Sequence, residues 1–224
     1  MCIKLDFSKS AKIDFSIPSN NRNIYIDEYK VYVNNKRMVN GNFKLKRILV
    51  FDMPAVTTCL NSSKCQLSCY ALKAQVQYPL TQLMRDTNLW LFENKPQLLK
   101  DLIKDQIRKS SYPTVRLHSS GDFLSQDYID FWTEIVAEFP NKNFYAYTKV
   151  DKMLNFDTIE TLPNFNLISS FIEGRLNYGS MDYIMRMAEK YNSFICPATI
   201  SSDVKCGKDC NYCVTQKNVV FKIH

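Results

Sequence analysis

The chain has 224 residues, 46% of them hydrophobic, and a formal net charge of +7. That is enough apolar material to bury a core without covalent staples, and no stretch approaches the ~18 apolar residues of a membrane span. Five glycines with no GxGxxG or GxxxxGK run exclude a glycine-loop nucleotide site, and two histidines are too few for a His-rich metal centre.

The first forty-odd residues read as short strands and turns. Ile13–Ile17 and Tyr25–Asp27 are strand candidates, and Val31–Val33 followed by Asn34-Asn35 reads as a hairpin. Residues 1–48 hold ten Lys and Arg against four Asp and Glu, a surplus of six that accounts for most of the net charge. This basic segment, interleaved with aromatics (Arg22, Tyr25, Tyr29, Lys30, Tyr32, Lys36, Arg37), suits contact with nucleic-acid phosphates or a host protein. It suits a solvated meander equally well.

Residues 46–53 form an apolar run that fits a buried strand. Helical patterns follow over 64–77, 80–94 and 96–109, with Pro79 and Pro96 suited to first turns. After Pro113 the pattern becomes strand, loop, helix, strand. Val115–His118 is a strand, and residues 126–139 place Ile129, Trp132, Ile135, Val136 and Phe139 at helical spacing. Phe144–Thr148, Leu167–Ser170 and Phe194–Cys196 are further strands, with a helix at about 180–190. Alternating strands and helices predict an α/β fold with a parallel sheet or barrel, whose chemistry sits at the strands' C-terminal ends. Residues 1–45 read as a basic β-rich extension and residues 46–224 as the α/β body.

Seven of the eight cysteines fall into two clusters, Cys59-x5-Cys65-x3-Cys69 and Cys196-x9-Cys206-x3-Cys210-x2-Cys213, with Cys2 apart. Thiolates that close together suit a soft metal. A disulfide framework would need an oxidising compartment, whereas Met1–Asp6 carries charges where a signal peptide needs an apolar run. A reducing cytoplasm is therefore expected. Three thiolates without a fourth favour a [4Fe–4S] cluster with one open iron at Cys59, Cys65 and Cys69. The four C-terminal cysteines would hold either zinc or a second [4Fe–4S] cluster, or one cluster would draw on both segments. His118 is either a fourth ligand or a core histidine.

Cys59, Ser120-Gly121-Asp122, Lys149 and Cys196 all lie at or past predicted strand ends, which would put both clusters on one face. Gly121 permits close backbone approach, and Asp122 would take a ligand ammonium or hydroxyl. The alternative is an ordinary turn, with Asp122 or Ser125 capping the next helix. Lys149 and Arg175 are candidate anion contacts.

The run Arg116–Ser125, then Trp132 and Phe144–Lys149, together with Cys69-Tyr70-Ala71, Cys196-Pro197 and Cys206, Cys210 and Cys213, resembles the phage and mobile-element "gene product eighty-eight" family. The match spans roughly residues 50–215. More distantly, the chain is similar to radical S-adenosylmethionine enzymes. Those are partial (β/α) barrels with a Cys-x3-Cys-x2-Cys loop after the first strand. The first cluster here departs from that spacing, while Cys206–Cys213 has it at the other end of the chain. The resemblance implies a partial barrel, a [4Fe–4S] cluster, and S-adenosylmethionine near Ser120, Gly121 and Asp122. The expectation is a mobile-element iron–sulfur protein. The competing expectation is a non-enzymatic module whose metal sites only hold the fold.

Overall fold

The computed structural model describes residues 11–13, 24–26, 29–31, 37–40, 44–61, 66, 69–170, 181–215 and 218–220. Near the N-terminus, β1 (Ala11–Ile13), β2 (Ile24–Ile26) and β3 (Tyr29–Val31) form an antiparallel three-stranded sheet in the order β1-β2-β3. The Asn34-Asn35 turn lies outside the described residues.

The main sheet has five strands in chain order. β4 (Met38–Asn40) runs antiparallel to β5 (Ile48–Phe51), and β6 (Thr114–Leu117), β7 (Asn143–Thr148) and β8 (Phe165–Ser169) continue it in parallel. This sheet therefore begins ahead of residue 46. Met38 is fully buried within it, and Gln106 accepts from its N–H and donates to its carbonyl.

Between β5 and β6 lie α1 (Tyr70–Gln77), α2 (Pro79–Asn94) and α3 (Pro96–Lys109). Pro79 and Pro96 each occupy a first helical turn, where a missing N–H costs nothing. α4 (Gln126–Glu138) crosses from β6 to β7 and α5 (Asp157–Glu160) from β7 to β8. Parallel crossovers share one hand, so strands laid down in sequence collect their helices on one face. Leu49, Phe51, Val115, Leu117, Phe144, Ala146, Phe165 and Leu167 point to that face and build the main core with Leu91, Ile103, Trp132 and Ile135. Trp132 is fully enclosed, edge-on to Phe51 at 5.1 Å between ring centroids. Truncating it to Ala would cost about 3–5 kcal/mol. Ser125, not Asp122, caps α4, its Oγ accepting from the Tyr128 N–H at 3.2 Å.

The other face is apolar too. Ile48, Val50, Tyr145 and Ile168 form a second buried cluster, packed against Cys206, Cys213 and Val214. The chain reaches it through α6 (Met181–Lys190), β9 (Phe194–Ile195), α7 (Pro197–Ile200), α8 (Tyr212–Thr215) and β10 (Val219–Val220). β10 pairs parallel with β9. No helix among the described residues is long and apolar enough to cross a membrane.

Candidate functional site

Two groups of chemistry-bearing residues flank the main sheet. The first sits past the C-terminal ends of β5 and β6 and is organised by Asp52. Its carboxylate accepts from Arg85 Nη2 at 3.1 Å, from Ser119 Oγ at 2.7 Å and from the Ser120 N–H at 2.9 Å. Arg85 also donates to the Ala71 carbonyl at 3.0 Å. The Cys69-Tyr70-Ala71 segment joins the same knot. Cys69 caps α1, its sulfur accepting from the Leu72 N–H, and the Tyr70 hydroxyl donates to the Ser119 carbonyl at 2.5 Å.

Ser120, Gly121 and Asp122 complete this end. Ser120 Oγ donates to the Met53 carbonyl at 2.9 Å. Gly121 has φ +81°, and a Cβ there would meet Thr58 Oγ1 at 2.6 Å and Met53 Cβ at 2.7 Å. The turn therefore lies against the loop carrying Cys59. Asp122 accepts from the Phe123 N–H, from Thr148 Oγ1 at 2.7 Å and from the Lys149 N–H at 2.9 Å. Burial raises its pKa, and those three donors oppose the rise. Its carboxylate is engaged by the protein itself. Lys149 Nζ donates to Ser170 Oγ at 3.1 Å. Cys65 and Arg175 lie outside the described residues.

His118 sits at the end of β6 with φ 62°, which turns its ring into the helix-side core. Its Nε2 is 2.9 Å from the Tyr128 hydroxyl, and the ring packs edge-on to Phe123. Burial, helped by the nearby Arg116 charge, pushes its pKa down to about 3. It is the core histidine of the two alternatives. Arg37 is likewise removed from any phosphate-binding surface. It is 1% exposed, with Nη1 3.5 Å from Asn88 Oδ1, and burial pushes its pKa down to about 10.

The second group lies on the opposite face of the sheet. Cys196, Cys206, Cys210 and Cys213 line one cavity of about 20 Å³, with Ile48, Thr114 and Tyr145 as its floor. Ile48 and Thr114 are the first residues of β5 and β6, whereas Cys59 follows the C-terminal end of β5. Cys59 and Cys69 thus follow the far end of β5 from Ile48, while Cys213 reaches Tyr147 near the C-terminal end of β7. Cys206 is pinned where the chain enters β5: its N–H donates to the Lys44 carbonyl and its carbonyl accepts from the Lys46 N–H, both at 2.8 Å. Gly207 follows with φ +79°, its Cα so close to the chain that a Cβ would stand 1.9 Å from the Lys46 carbonyl oxygen. Gly207 then donates to the Cys210 carbonyl at 2.9 Å, closing the Cys206–Cys210 loop.

The sheet contributes polar groups to this face. Val50, Arg116, Tyr145 and Asn166 stand in register across β5 to β8. Asn166 donates to the Cys213 carbonyl at 2.9 Å, and the Tyr147 hydroxyl is 2.7 Å from Cys213 Sγ. The Arg116 guanidinium lies 5.4 Å from the centre of the Tyr147 ring. Burial pushes the Cys213 thiol up to about 11 and raises that of Cys206, with neighbouring cysteines adding to both. Neither is the low-pKa thiolate that a nucleophilic cysteine requires. Among the described residues, no group of three or more His, Cys, Asp or Glu side chains stands in metal-ligating geometry. The four thiols share a cavity without converging on one point.

Sequence reading missed Asp52, Arg85, Arg116 and Tyr147. An Asp directly after an apolar strand was the one local signal available. The alternation of Arg116, Tyr145 and Tyr147 with apolar neighbours becomes informative only once the face they share is known.

No solved structure matches the chain significantly. It is 27% identical over 105 residues to the "Gene 88 protein" of Mycobacterium phage D29, covering 42% of this chain and 44% of that protein. It is 28% identical over 90 residues to the "Gene 88 protein" of Mycobacterium phage L5, covering 40% of this chain and 38% of that protein. The chain spans less than half the length of these curated relatives. The family model described as "Gene product 88" matches residues 29–216, which takes in the main sheet, the Asp52 knot and all four C-terminal cysteines, and the chain belongs to that family.

Proposed function

We propose that this chain is a phage-type metal–thiolate protein in which Cys196, Cys206, Cys210 and Cys213 bind one thiophilic metal ion that fastens the C-terminal segment to the sheet. The observation that carries this reading is the shared cavity: four thiols from two segments line it. An all-cysteine set suits zinc in a closed structural site. When bound, the metal would supply cross-linking energy, because its ligands must lose protons and gather before it is held. Metal analysis of purified protein tests this. Zinc near one equivalent is expected, lost in each single Cys→Ser variant at positions 196, 206, 210 and 213 and kept in Cys2→Ser. Iron with acid-labile sulfide would replace the ion by a cluster.

The catalytic alternative is a partial radical-enzyme-like barrel with a [4Fe–4S] cluster at Cys59, Cys65 and Cys69. It draws support from the in-order parallel strands and from the Cys59 loop packing beside Gly121. Against S-adenosylmethionine stands the internal engagement of Asp122. A cavity of about 410 Å³, roomy enough for an organic ligand, is lined instead by residues such as Asp151, Asp157, Glu160 and Ser169. The non-enzymatic reading therefore leads. The basic charge ahead of the body supports a nucleic-acid partner over a host protein, in a cytoplasmic setting that keeps thiols reduced. Deleting residues 1–36, which stops short of buried Arg37, should abolish a salt-sensitive affinity for DNA or RNA. Unchanged affinity would remove the partner from the proposal.

A further inference from the structure

Within the C-terminal segment, Cys206 and Cys210 stand side by side as parallel bridge partners. Their seat is fixed by the backbone. Cys206 is hydrogen-bonded to Lys44 and Lys46 where the chain enters β5, and the Gly207 N–H donates to the Cys210 carbonyl at 2.9 Å. Gly207, with φ +79°, makes the turn that brings Cys210 back alongside Cys206. Chains paired in this way lie about 4.8 Å apart, and the residues facing each other direct their side chains to the same side. A disulfide spans Cα separations of ~4.4–6.8 Å, so the backbone already meets its main requirement. Both residues are free thiols and line one cavity. The other two thiols there are placed differently. Cys213 Sγ meets the Tyr147 hydroxyl at 2.7 Å, and Cys196, 7% exposed, comes from the segment that follows β9.

We propose that Cys206 and Cys210 are a reversible dithiol–disulfide pair, a redox modification site that closes in the presence of a low-molecular-weight disulfide such as oxidised glutathione. The pair does not depend on the metal ion proposed above. The two uses of these thiols exclude each other, because a disulfide removes two donors from the set. In the first step one cysteine, as thiolate, attacks a sulfur of oxidised glutathione. The glutathione S–S bond breaks, a mixed disulfide forms, and one reduced glutathione leaves with the proton. The second cysteine then attacks the protein sulfur of the mixed disulfide. The Cys206–Cys210 bond forms, and a second reduced glutathione leaves with the second proton. The protein gives up two electrons and two hydrogens, and one oxidised glutathione becomes two reduced ones. Burial raises the pKa of the Cys206 thiol, which suits a site that is modified and not a fast exchange catalyst. A bond across so short a loop adds little stability, so its effect is on the thiols themselves.

The test equilibrates the full chain, with a metal chelator present throughout, in glutathione buffers of rising oxidised fraction. Remaining thiols are then alkylated and the peptides mapped by mass spectrometry. The expected result is an internal crosslink between Cys206 and Cys210 that dithiothreitol reverses. Cys206→Ser and Cys210→Ser should each lose the crosslink. Each should instead carry one glutathione on the cysteine that remains, because no neighbour is left to expel it. Cys196→Ser and Cys213→Ser should form the bond as wild type does. A wild-type chain that keeps both thiols reduced, or that carries glutathione on both, would overturn the inference. So would a crosslink from Cys206 or Cys210 to Cys196 or Cys213. Since the chelator excludes metal, these outcomes are distinct from the zinc content that tests the metal reading.

Discussion

Arg85 Nη2 and Asp52 Oδ2 are 3.1 Å apart, each about 5% exposed, and they join α2 to the end of β5. Through this pair the Cys69-Tyr70-Ala71 segment and the Ser119–Asp122 turn are tied to one carboxylate. Removing one partner of a buried pair leaves the other charge stranded, which typically costs about 3–5 kcal/mol. Arg85→Met and Asp52→Leu should each lower stability by that order in urea unfolding. The double variant should lose clearly less than the sum, because the stranded charge is gone.

Gly207 should tolerate no side chain. Its positive φ disfavours one, and a Cβ would collide with the Lys46 carbonyl. Gly207→Ala should cost more than about 1 kcal/mol and displace the Cys206–Cys210 loop. Its zinc uptake should fall with it. Normal zinc binding in this variant would show that the loop does not need its seat beside β5.

His118 should make the protein sensitive to mild acid. Its pKa falls from 6.5 in the unfolded chain to about 3 when folded, so the native state holds fewer protons in between. The stability this provides is fully present above pH 6.5 and is lost as pH falls toward 3, by about 1.4 kcal/mol per pH unit. Between pH 7 and pH 5 the loss attributable to His118 is about 2 kcal/mol. His118→Asn, which accepts the left-handed backbone, should unfold with a flatter pH profile over that range. An identical profile would place the proton elsewhere.

Much of the α/β frame was legible because its signals are local. Pro79 and Pro96 mark helix starts, and Ile129, Trp132, Ile135 and Val136 share one face of α4 by spacing alone. β4 was not legible: Met38-Val39-Asn40 is too short to declare itself and is a strand only because β5 lies beside it. The site was harder for a related reason. β5 is apolar on both faces, Leu49 and Phe51 toward the helices, Ile48 and Val50 toward the cysteines. Alternation therefore could not say which face awaited the C-terminal segment. Counting thiols picked out the four C-terminal cysteines that share a cavity. It could not show that Cys206 docks beside Lys44 and Lys46. The strand-end position of His118 allows either a ligand or a core histidine, and its positive φ sends it into the core.

X-ray absorption at the metal edge of the purified protein tests the central claim most directly, because it reads metal identity and ligand type together. The account predicts zinc surrounded by four sulfurs at about 2.3 Å. A protein without bound metal, or a metal ligated mainly by nitrogen and oxygen, would contradict it.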